Sequence, residues 1–223
     1  MSCELALPDL HSPTLLSLLS GPGAYRARCN AGAPRGVLIN EMTTITAADL
    51  NHRLADDRDA AFPDLVRSFQ DGVYSGALQL TRNIHDAQDV TQETFVRVYR
   101  ALLGYDPDRI RSLDLRPWVW TIALNLCRNR ARSKMRHPEV NTVVDHPAPG
   151  ADPADQAIAA DLGLWRDRLA RLSEPQRTAV VLHHVVDLPH AEVSQITGRA
   201  ESTTRSDLRR GLTALRTIVE EET

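Results

Sequence analysis

One stripe of side chains in this sequence combines an aromatic ring, hydrogen-bonding groups and cations. Five residues recur at intervals of three and four, which places them along one face of a helix: Trp118, Thr121, Asn125, Arg128 and Arg132. The ring can stack on a nucleic-acid base, the amide can bond to a base edge, and the guanidinium groups can hold phosphates. The pattern therefore favours nucleic-acid binding. A basic helix end can also be a solvated face that complements the helix dipole, and the stripe alone does not decide between the two.

A second polar stripe lies on the preceding helix. Phe95, Val98 and Leu102 recur at helical spacing, so one side of this helix can enter a core. Asp86 predicts the capped start of the helix, where a carboxylate meets the positive end of the dipole. The opposite side carries mainly polar and charged residues: Asp89, Gln92, Glu93, Val96 and Arg100.

The end of the chain has the pattern of a helix-turn-helix. Pro189 opens a short helix, Gly198 makes the turn, and the last helix begins at Glu201. In such a motif the second helix enters the major groove, where hydroxyl and guanidinium groups suit phosphates and guanine edges. The predicted outer side of the last helix and its flanks carry Ser202, Thr203, Arg205, Ser206, Arg209 and Arg210.

Helices must position all three stripes, because apolar residues recur at helical spacing through most of the chain. Asp49 and Asp64 lie near predicted helix starts, and Pro63 fits a first turn, where its missing N–H costs little. Ser173 and Gln176 form a predicted capping box. We therefore expect an all-α protein.

The distribution of Pro and Gly predicts two small helical domains. Residues 1–41 carry Pro or Gly every few positions and are expected to be a disordered extension, unless translation begins at Met42. A first helical domain is predicted over 42–137 and a second over 157–223. The flexible linker between them, 138–156, is acidic and rich in Pro.

Composition excludes several classes of function. The formal net charge is −3, so any basic surface must be local. Neither a Walker loop nor a glycine-rich dinucleotide turn is present, and we expect no cofactor. The apolar run 15–19 is too short to span a membrane. Cys3, Cys29 and Cys127 lack metal-ligand spacing and fit a reducing cytosol, so a cytoplasmic location is expected.

A metal site among the histidines is the remaining enzyme-like pattern. His183, His184, His190 and Glu192 lie close together in sequence. Adjacent histidines are expected to point to different helix faces, and no HExxH or CxxC motif is present. We therefore expect no metal site.

Two segments resemble one known family. DAQDVTQETFVRVYRAL followed by LRPWVWTIALNLCRNRAR is similar to region 2 of the extracytoplasmic-function (ECF) sigma factors, which direct bacterial RNA polymerase to promoters. The segment LSEPQRTAVVLHHVVDLPHAEVSQITGRAESTTRSDLRRGLTALR resembles region 4 of the same family. Two motifs in the right order, joined by a linker, are more specific than either motif alone.

The resemblance implies a role for each stripe. The stripe that contains Asp89 would bind a coiled coil of the polymerase largest subunit. The stripe that begins at Trp118 would bind the minus-ten element, with a flipped base held by the loop 105–115. The outer side of the last helix would read the minus-thirty-five element. Two small helical domains, a region 2 bundle and a region 4 helix-turn-helix, are the implied fold.

Three residues depart from the family pattern. Thr204 replaces a branched apolar residue, and its hydroxyl is expected to bond to a carbonyl one turn back. Asp207 replaces a basic residue and is expected to repel phosphate, so Asp207→Arg is expected to raise promoter affinity. Gly211 replaces an alanine, which costs about 1 kcal/mol in a helix.

The implied partners are bacterial RNA polymerase core, promoter DNA and an anti-sigma factor, with no membrane and no small-molecule substrate. No enzyme activity is expected. One alternative is a free-standing transcriptional regulator that uses the last domain alone on DNA. Another is an adaptor that binds polymerase or an anti-sigma partner without initiating transcription.

Overall fold

The computed structural model of the chain describes residues 37–38, 45–136 and 163–222. These residues confirm the all-α class. The first group of helices comprises α1 (Ala47–Asp56), α2 (Arg58–Thr81), α3 (Ile84–Leu103), α4 (Pro107–Arg111) and α5 (Leu115–Arg136). The second comprises α6 (163–170), α7 (Glu174–Val180) with its π-helical continuation Val181–Val185, α8 (His190–Thr197) and α9 (Glu201–Glu221). None of the described helices is long and apolar enough to cross a membrane.

A short strand pair precedes α1. Val37–Leu38 (β1) pairs antiparallel with Ile45–Thr46 (β2), a feature that the sequence pattern does not predict. The rest of the expected extension 1–41 lies outside the described residues. So do Met42, the expected linker 138–156, and the cysteines Cys3 and Cys29.

Two helix starts differ from the predicted ones. Asp57 caps α2 by accepting a hydrogen bond from the Ala60 amide at 3.1 Å, so Pro63 lies inside the helix and not in its first turn. Asn83 caps α3 by accepting from the Asp86 amide at 2.9 Å. Asp86 is therefore not the cap; it is buried and pairs with Lys134. In both cases the cap is a polar residue before the predicted start, six residues before Pro63 and three before Asp86.

The first core lies between α1, α2, α3 and α5. Its fully buried side chains include Leu50, Leu54, Leu65, Leu102 and Ile110. Ile110 belongs to α4, so the segment between α3 and α5 is anchored in this core and is not an irregular loop. Burying apolar side chains of this size is the main force that holds such small helices together.

The second core joins α6, α7 and α9. Leu169, Val180 and Leu208 are buried there. The predicted capping box at the start of α7 is present, with Gln176 Oε1 accepting from the Ser173 amide at 3.3 Å. A Cβ atom at Gly211 would lie 2.8 Å from Val180 Cγ2, so the glycine lets α9 approach α7 closely.

Both groups of helices contribute to one buried cluster. Leu182, Leu188, Val193 and Ile196 of the second group pack with the first core, which contains Trp120 of α5. The two groups are therefore in direct contact in this structure.

Candidate functional site

The predicted stripe on α3 forms one continuous surface. Asp89, Gln92, Val96 and Arg100 are exposed and Glu93 is half-buried. Val96 is 42% exposed, and Leu103, seven residues further along the same side, is 55% exposed. Sequence reasoning missed Leu103, although its spacing from Val96 is a signal that could have found it. This face therefore presents apolar side chains between charged ones.

An apolar groove runs beside this surface. Its volume is about 590 Å³, and it lies between α2 and α3. Phe62 and Val66 of α2 and Phe95 and Tyr99 of α3 line it, and Val96 stands at its edge. Grooves of this kind accept the apolar side of a partner helix.

The charges on the α3 surface are organised by neighbouring cations. Arg130 of α5 pairs with Asp89 at 2.8 Å, and Arg97 pairs with Glu93 at 2.8 Å. The hydrogen bond from Arg97 lowers the pKa of the Glu93 carboxyl below its ordinary value. The surface is thus a patterned set of ion pairs around an apolar centre.

The predicted stripe on α5 is partly exposed to solvent. Asn125 and Arg132 are exposed, whereas Trp118, Thr121 and Arg128 are half-buried. The Thr121 hydroxyl donates to the Pro117 carbonyl at 2.7 Å, which leaves its oxygen as an acceptor. None of the five residues is fully buried.

An aromatic cluster joins this stripe to α4. The rings of Trp118 and Tyr105 lie 5.9 Å apart, and the Arg109 guanidinium lies 3.7 Å from the centre of the Tyr105 ring. The sequence pattern assigns no individual residue to this segment, so it missed both Tyr105 and Arg109. The two rings are tilted by 47° to each other, and aromatic rings and guanidinium planes are groups on which an unstacked base can lie.

A buried amide holds α4 in place. Asn51 of α1 is 7% exposed, and its Nδ2 donates to the Leu113 carbonyl at 2.6 Å and to the Arg111 carbonyl at 3.3 Å. Asp56 also pairs with Arg111, at 3.0 Å. Spacing rules cannot identify Asn51, because its partners are backbone carbonyls 60 and 62 residues away. The position of α4 therefore depends on α1.

Most cations at the basic end of α5 are paired with carboxylates. Arg128 lies 2.9 Å from Glu174, and Lys134 pairs with Asp86. With the Arg130 pair described above, three of the cations in this run are neutralised within the chain. Arg132 has a neutral neighbour, Asn129, at 3.4 Å. The basic run therefore offers less free charge than its sequence indicates.

The residues predicted for the outer side of α9 and its flanks are exposed or half-buried. Ser202, Arg205, Arg209 and Arg210 are exposed, and Thr203 and Ser206 are half-buried. Gly198 makes the turn before this helix with φ of 67°, a conformation that favours glycine. Arg205 pairs with Glu201, whereas Arg209 and Arg210 form no ion pair with any described residue.

The buried side of α9 contains Thr204, Leu208 and Leu215 as predicted, and it also contains a carboxylate that was not predicted there. Asp207 is 8% exposed and pairs with Arg199 at 3.5 Å, so the expectation that its carboxylate stands beside DNA is wrong. Thr204 is buried, but its hydroxyl has no hydrogen-bond partner, contrary to the expected carbonyl bond. The Asp207 carboxylate lies against the turn because Arg199, a residue of that turn, carries the opposite charge. Spacing along α9 does not reveal this pair.

The three histidines come together, contrary to expectation. The His183 ring stacks on His190 with centroids 4.5 Å apart and contacts His184 at 4.8 Å. His183 and His184 lie in the π-helical turn whereas His190 begins α8, so the cluster forms by tertiary packing that spacing along one helix does not predict. Burial lowers the pKa of His190. Among the described residues, no group of three His, Cys, Asp or Glu is arranged to hold a metal ion.

Cys127 belongs to the packing of the first group. It is 5% exposed, and burial raises the pKa of its thiol to about 12. The thiol is therefore protonated at neutral pH and poorly nucleophilic.

Comparisons with known proteins agree with this arrangement. The family model of Sigma-70 region 2 matches residues 65–137, and that of Sigma-70 region 4 matches residues 162–215. The two family models, matched in this order on an all-α chain, define a sigma-70-type protein.

Individual relatives narrow the class. "ECF RNA polymerase sigma factor SigE" of Mycolicibacterium smegmatis is 36% identical over 165 residues, 70% of this chain and 62% of that protein. "RNA polymerase sigma factor CarQ" of Myxococcus xanthus is 32% identical over 176 residues, 76% of this chain and 95% of CarQ. The solved structure of CnrH in complex with the cytosolic domain of CnrY has a TM-score of 0.60 and 22% identity, covering 79% of this chain and 98% of that chain. The chain belongs to the ECF group of the sigma-70 family of RNA polymerase sigma factors.

Proposed function

We propose that this chain acts as an alternative sigma factor, which binds core RNA polymerase, directs it to specific promoters and starts transcription there. The observation that carries the proposal is the presence of three separate exposed surfaces, on α3, α5 and α9, within the two matched family regions. Neither alternative role needs all three. A free-standing regulator leaves the α3 surface without a partner, and an adaptor leaves the α5 and α9 surfaces unused.

The α3 surface is the proposed contact with polymerase. Its apolar centre, Val96 and Leu103, can be buried by a partner, while Asp89, Gln92 and Arg100 supply polar contacts around it. An apolar centre with a polar rim is the usual anatomy of a protein interface. Glu93 adds a carboxylate that Arg97 holds in place by a hydrogen bond of 2.8 Å.

The α5 stripe and α4 are the proposed minus-ten surface. Asn125 and Arg132 are placed to contact a base edge and the backbone, and Thr121 can accept a further hydrogen bond. Trp118, with Tyr105 and Arg109 beside it, supplies planar groups for a base that has left the stack. The hydrogen bond from Asn51 to the Leu113 carbonyl helps to fix the position of α4 beside this surface.

The outer side of α9 is the proposed minus-thirty-five surface. Arg209 and Arg210 are the cations available for phosphates or guanine, and Ser202, Thr203 and Ser206 supply hydroxyls. The proposed domains are 42–137 and 157–223. Each domain binds one promoter element, and the polymerase sets the distance between the two domains. This chain makes and breaks no covalent bond. A cytoplasmic location and control by an anti-sigma factor complete the proposal.

Transcription in vitro tests the proposal. The full chain would be added to core polymerase from its source bacterium with fragmented genomic DNA as template, and the RNA 5′ ends would be sequenced. The proposal expects RNA that starts at a defined set of sites only when the chain is present. DNA binding without core would favour the free-standing regulator. Binding to core without new start sites would favour the adaptor, and either result would overturn the proposal.

A further inference from the structure

The turn of the helix-turn-helix contains an arginine whose backbone is fixed. Arg199 follows Gly198 and lies two residues before the start of α9. The Gly198 amide donates to the Ser194 carbonyl, and the Arg199 amide donates to the same carbonyl at 3.2 Å. The Ser194 hydroxyl donates to the Arg199 carbonyl at 2.6 Å. These bonds hold the backbone of Arg199 in place without any help from its side chain.

The side chain of Arg199 is directed by a carboxylate of α9. Its Nη2 atom lies 3.5 Å from Asp207 Oδ2. The Asp207 side chain is 11% exposed, whereas the Arg199 side chain is 39% exposed. The carboxylate is thus mostly enclosed by the fold, while the arginine keeps a side that is open to solvent.

Asp207 borders the proposed minus-thirty-five surface. Residues three and four positions apart are neighbours on the surface of a helix. Thr203, four residues before Asp207, and Arg210, three residues after it, both belong to that surface. Because Arg199 pairs with Asp207, its cation lies at the edge of the same surface, near the start of α9. In a helix-turn-helix the first residues of the second helix approach the base edges.

Stability alone does not account for this pair. A partly exposed ion pair contributes little to stability, and the bonds of Ser194 already fix the turn. The pair does fix the direction of a cation. An arginine that is ordered before it binds loses less side-chain entropy when it binds. Asp207 therefore favours binding of an anion by Arg199 more than it favours folding.

We propose that Arg199 binds a phosphate of the minus-thirty-five element, and that Asp207 is its positioning residue. This inference rests on the proposed function. The Arg199 guanidinium has five N–H donors, so pairing with Asp207 through Nη2 leaves donors for a phosphate. Arginine and phosphate form short, charge-assisted hydrogen bonds. Arg199 thus adds a cation from the turn to those that α9 itself presents.

The salt dependence of promoter binding tests the phosphate contact. The full chain with core polymerase would be bound to a promoter identified by the transcription experiment above. Arg199→Ala is expected to weaken binding at least about threefold and to reduce the salt slope by about 1. The matched control is Arg171→Ala, because Arg171 is 49% exposed and pairs with Glu221 near the other end of α9. Its slope is expected to stay unchanged, and an unchanged slope in Arg199→Ala would overturn the inference.

A double-mutant cycle tests the positioning role of Asp207. Asp207→Asn removes a negative charge, which by charge alone would tighten DNA binding. The inference expects the opposite, at least about twofold weaker binding, because Arg199 loses its direction. In the Arg199→Ala background the same change is expected to leave affinity unchanged or to raise it. Tighter binding by Asp207→Asn alone would overturn the positioning role. An equal loss in both backgrounds, as a general loss of folding gives, would overturn it as well.

Neutral phosphates can locate the contact. Promoter duplexes that carry one methylphosphonate each, at successive positions of the minus-thirty-five element, remove one phosphate charge at a time. One position is expected at which the neutral group weakens binding by the unmodified chain but has little further effect on Arg199→Ala. Equal losses for the two chains at every position would contradict a phosphate contact by Arg199.

Transcription separates this inference from the proposed function. An unmodified chain that starts transcription with core polymerase, together with an Arg199→Ala variant of unchanged promoter affinity and salt slope, would overturn the inference alone. An unmodified chain that starts no transcription would overturn the proposed function, and the inference with it.

Discussion

The basic end of α5 and the outer side of α9 look alike in sequence but differ in the structure. In α5, Arg130 and Lys134 pair with carboxylates of α3, and Arg128 pairs with Glu174. In α9, Arg209 and Arg210 pair with no described carboxylate. Charge counted along a sequence therefore overestimates the charge that is free to meet a polyanion. We therefore expect DNA binding by α5 to rely more on rings and amides, and DNA binding by α9 to rely more on cations.

The largest effect is expected from the unpaired cations of α9. Arg209→Ala combined with Arg210→Ala is expected to weaken promoter binding by the holoenzyme about 10- to 100-fold and to reduce the salt slope by about 2. The matched change in the first group, Arg130→Ala, is expected to leave the slope nearly unchanged, because Asp89 already neutralises this cation. Filter binding over a range of salt concentrations measures both. Equal salt slopes of promoter binding for the two variants would contradict the proposed difference between α5 and α9.

The next effect concerns Asp207, the acidic residue on the buried side of α9. Asp207→Arg removes the pair with Arg199 and places two cations together, so it is expected to lower the free energy of unfolding by about 2 kcal/mol or more. Asp207→Asn, which keeps the shape, is expected to cost less. Urea denaturation followed by circular dichroism gives both values. Higher promoter affinity at unchanged stability in Asp207→Arg would show that the carboxylate faces DNA after all.

Glycines in the two groups provide a third comparison. Gly211→Ala is expected to destabilise the chain by about 1–3 kcal/mol, because the added methyl group overlaps Val180 of α7. Gly72→Ala, in the interior of α2, has no atom within 4 Å of the new methyl group and is expected to stabilise by up to about 1 kcal/mol. Thermal unfolding of both variants tests the close approach of α9 to α7. Stabilisation by Gly211→Ala would mean that the helices are further apart.

The smallest effect is a pH dependence confined to the second group. The pKa of His190 is lowered by burial, then by His183 and Arg205, and is partly raised again by Glu201. The folded chain therefore binds fewer protons than the unfolded chain, and stability is lost as pH falls through the usual histidine value of 6.5. His190→Gln is expected to flatten the curve of stability against pH between about pH 7 and 5.5. If the slope of stability against pH is the same in His190→Gln as in the unmodified chain, His190 is not the cause of the pH dependence.

Local signals in the sequence predicted much of the fold. The helical spacing of apolar residues, the capping box at Ser173 and the turn at Gly198 depend on residues close together in the chain, so they can be identified without tertiary information. The caps Asp57 and Asn83 were missed, because each lies before the residues on which the prediction of its helix start relied.

The candidate site was predictable in outline but not in its electrostatics. Spacing identified which side chains share a face of α3, α5 and α9. It could not identify the Arg130 pair, the Asn51 bonds to α4 or the Arg199 partner of Asp207, because each joins residues that only tertiary packing brings together. The histidine cluster was missed because His190 lies on a different helical element from His183 and His184. The contact between the two groups has no local signal at all.

The most direct test of a sigma-factor role is a titration of the full chain against core RNA polymerase. Val96→Glu and Leu164→Glu form a matched pair, since each parent side chain is 42% exposed but only Val96 lies on the proposed polymerase surface. The unmodified chain and Leu164→Glu are expected to bind with a Kd of about 1 μM or tighter, about −8 kcal/mol, and Val96→Glu at least about tenfold more weakly. No association of the unmodified chain at micromolar concentration, or equal affinity for the two variants, would contradict the proposed polymerase contact.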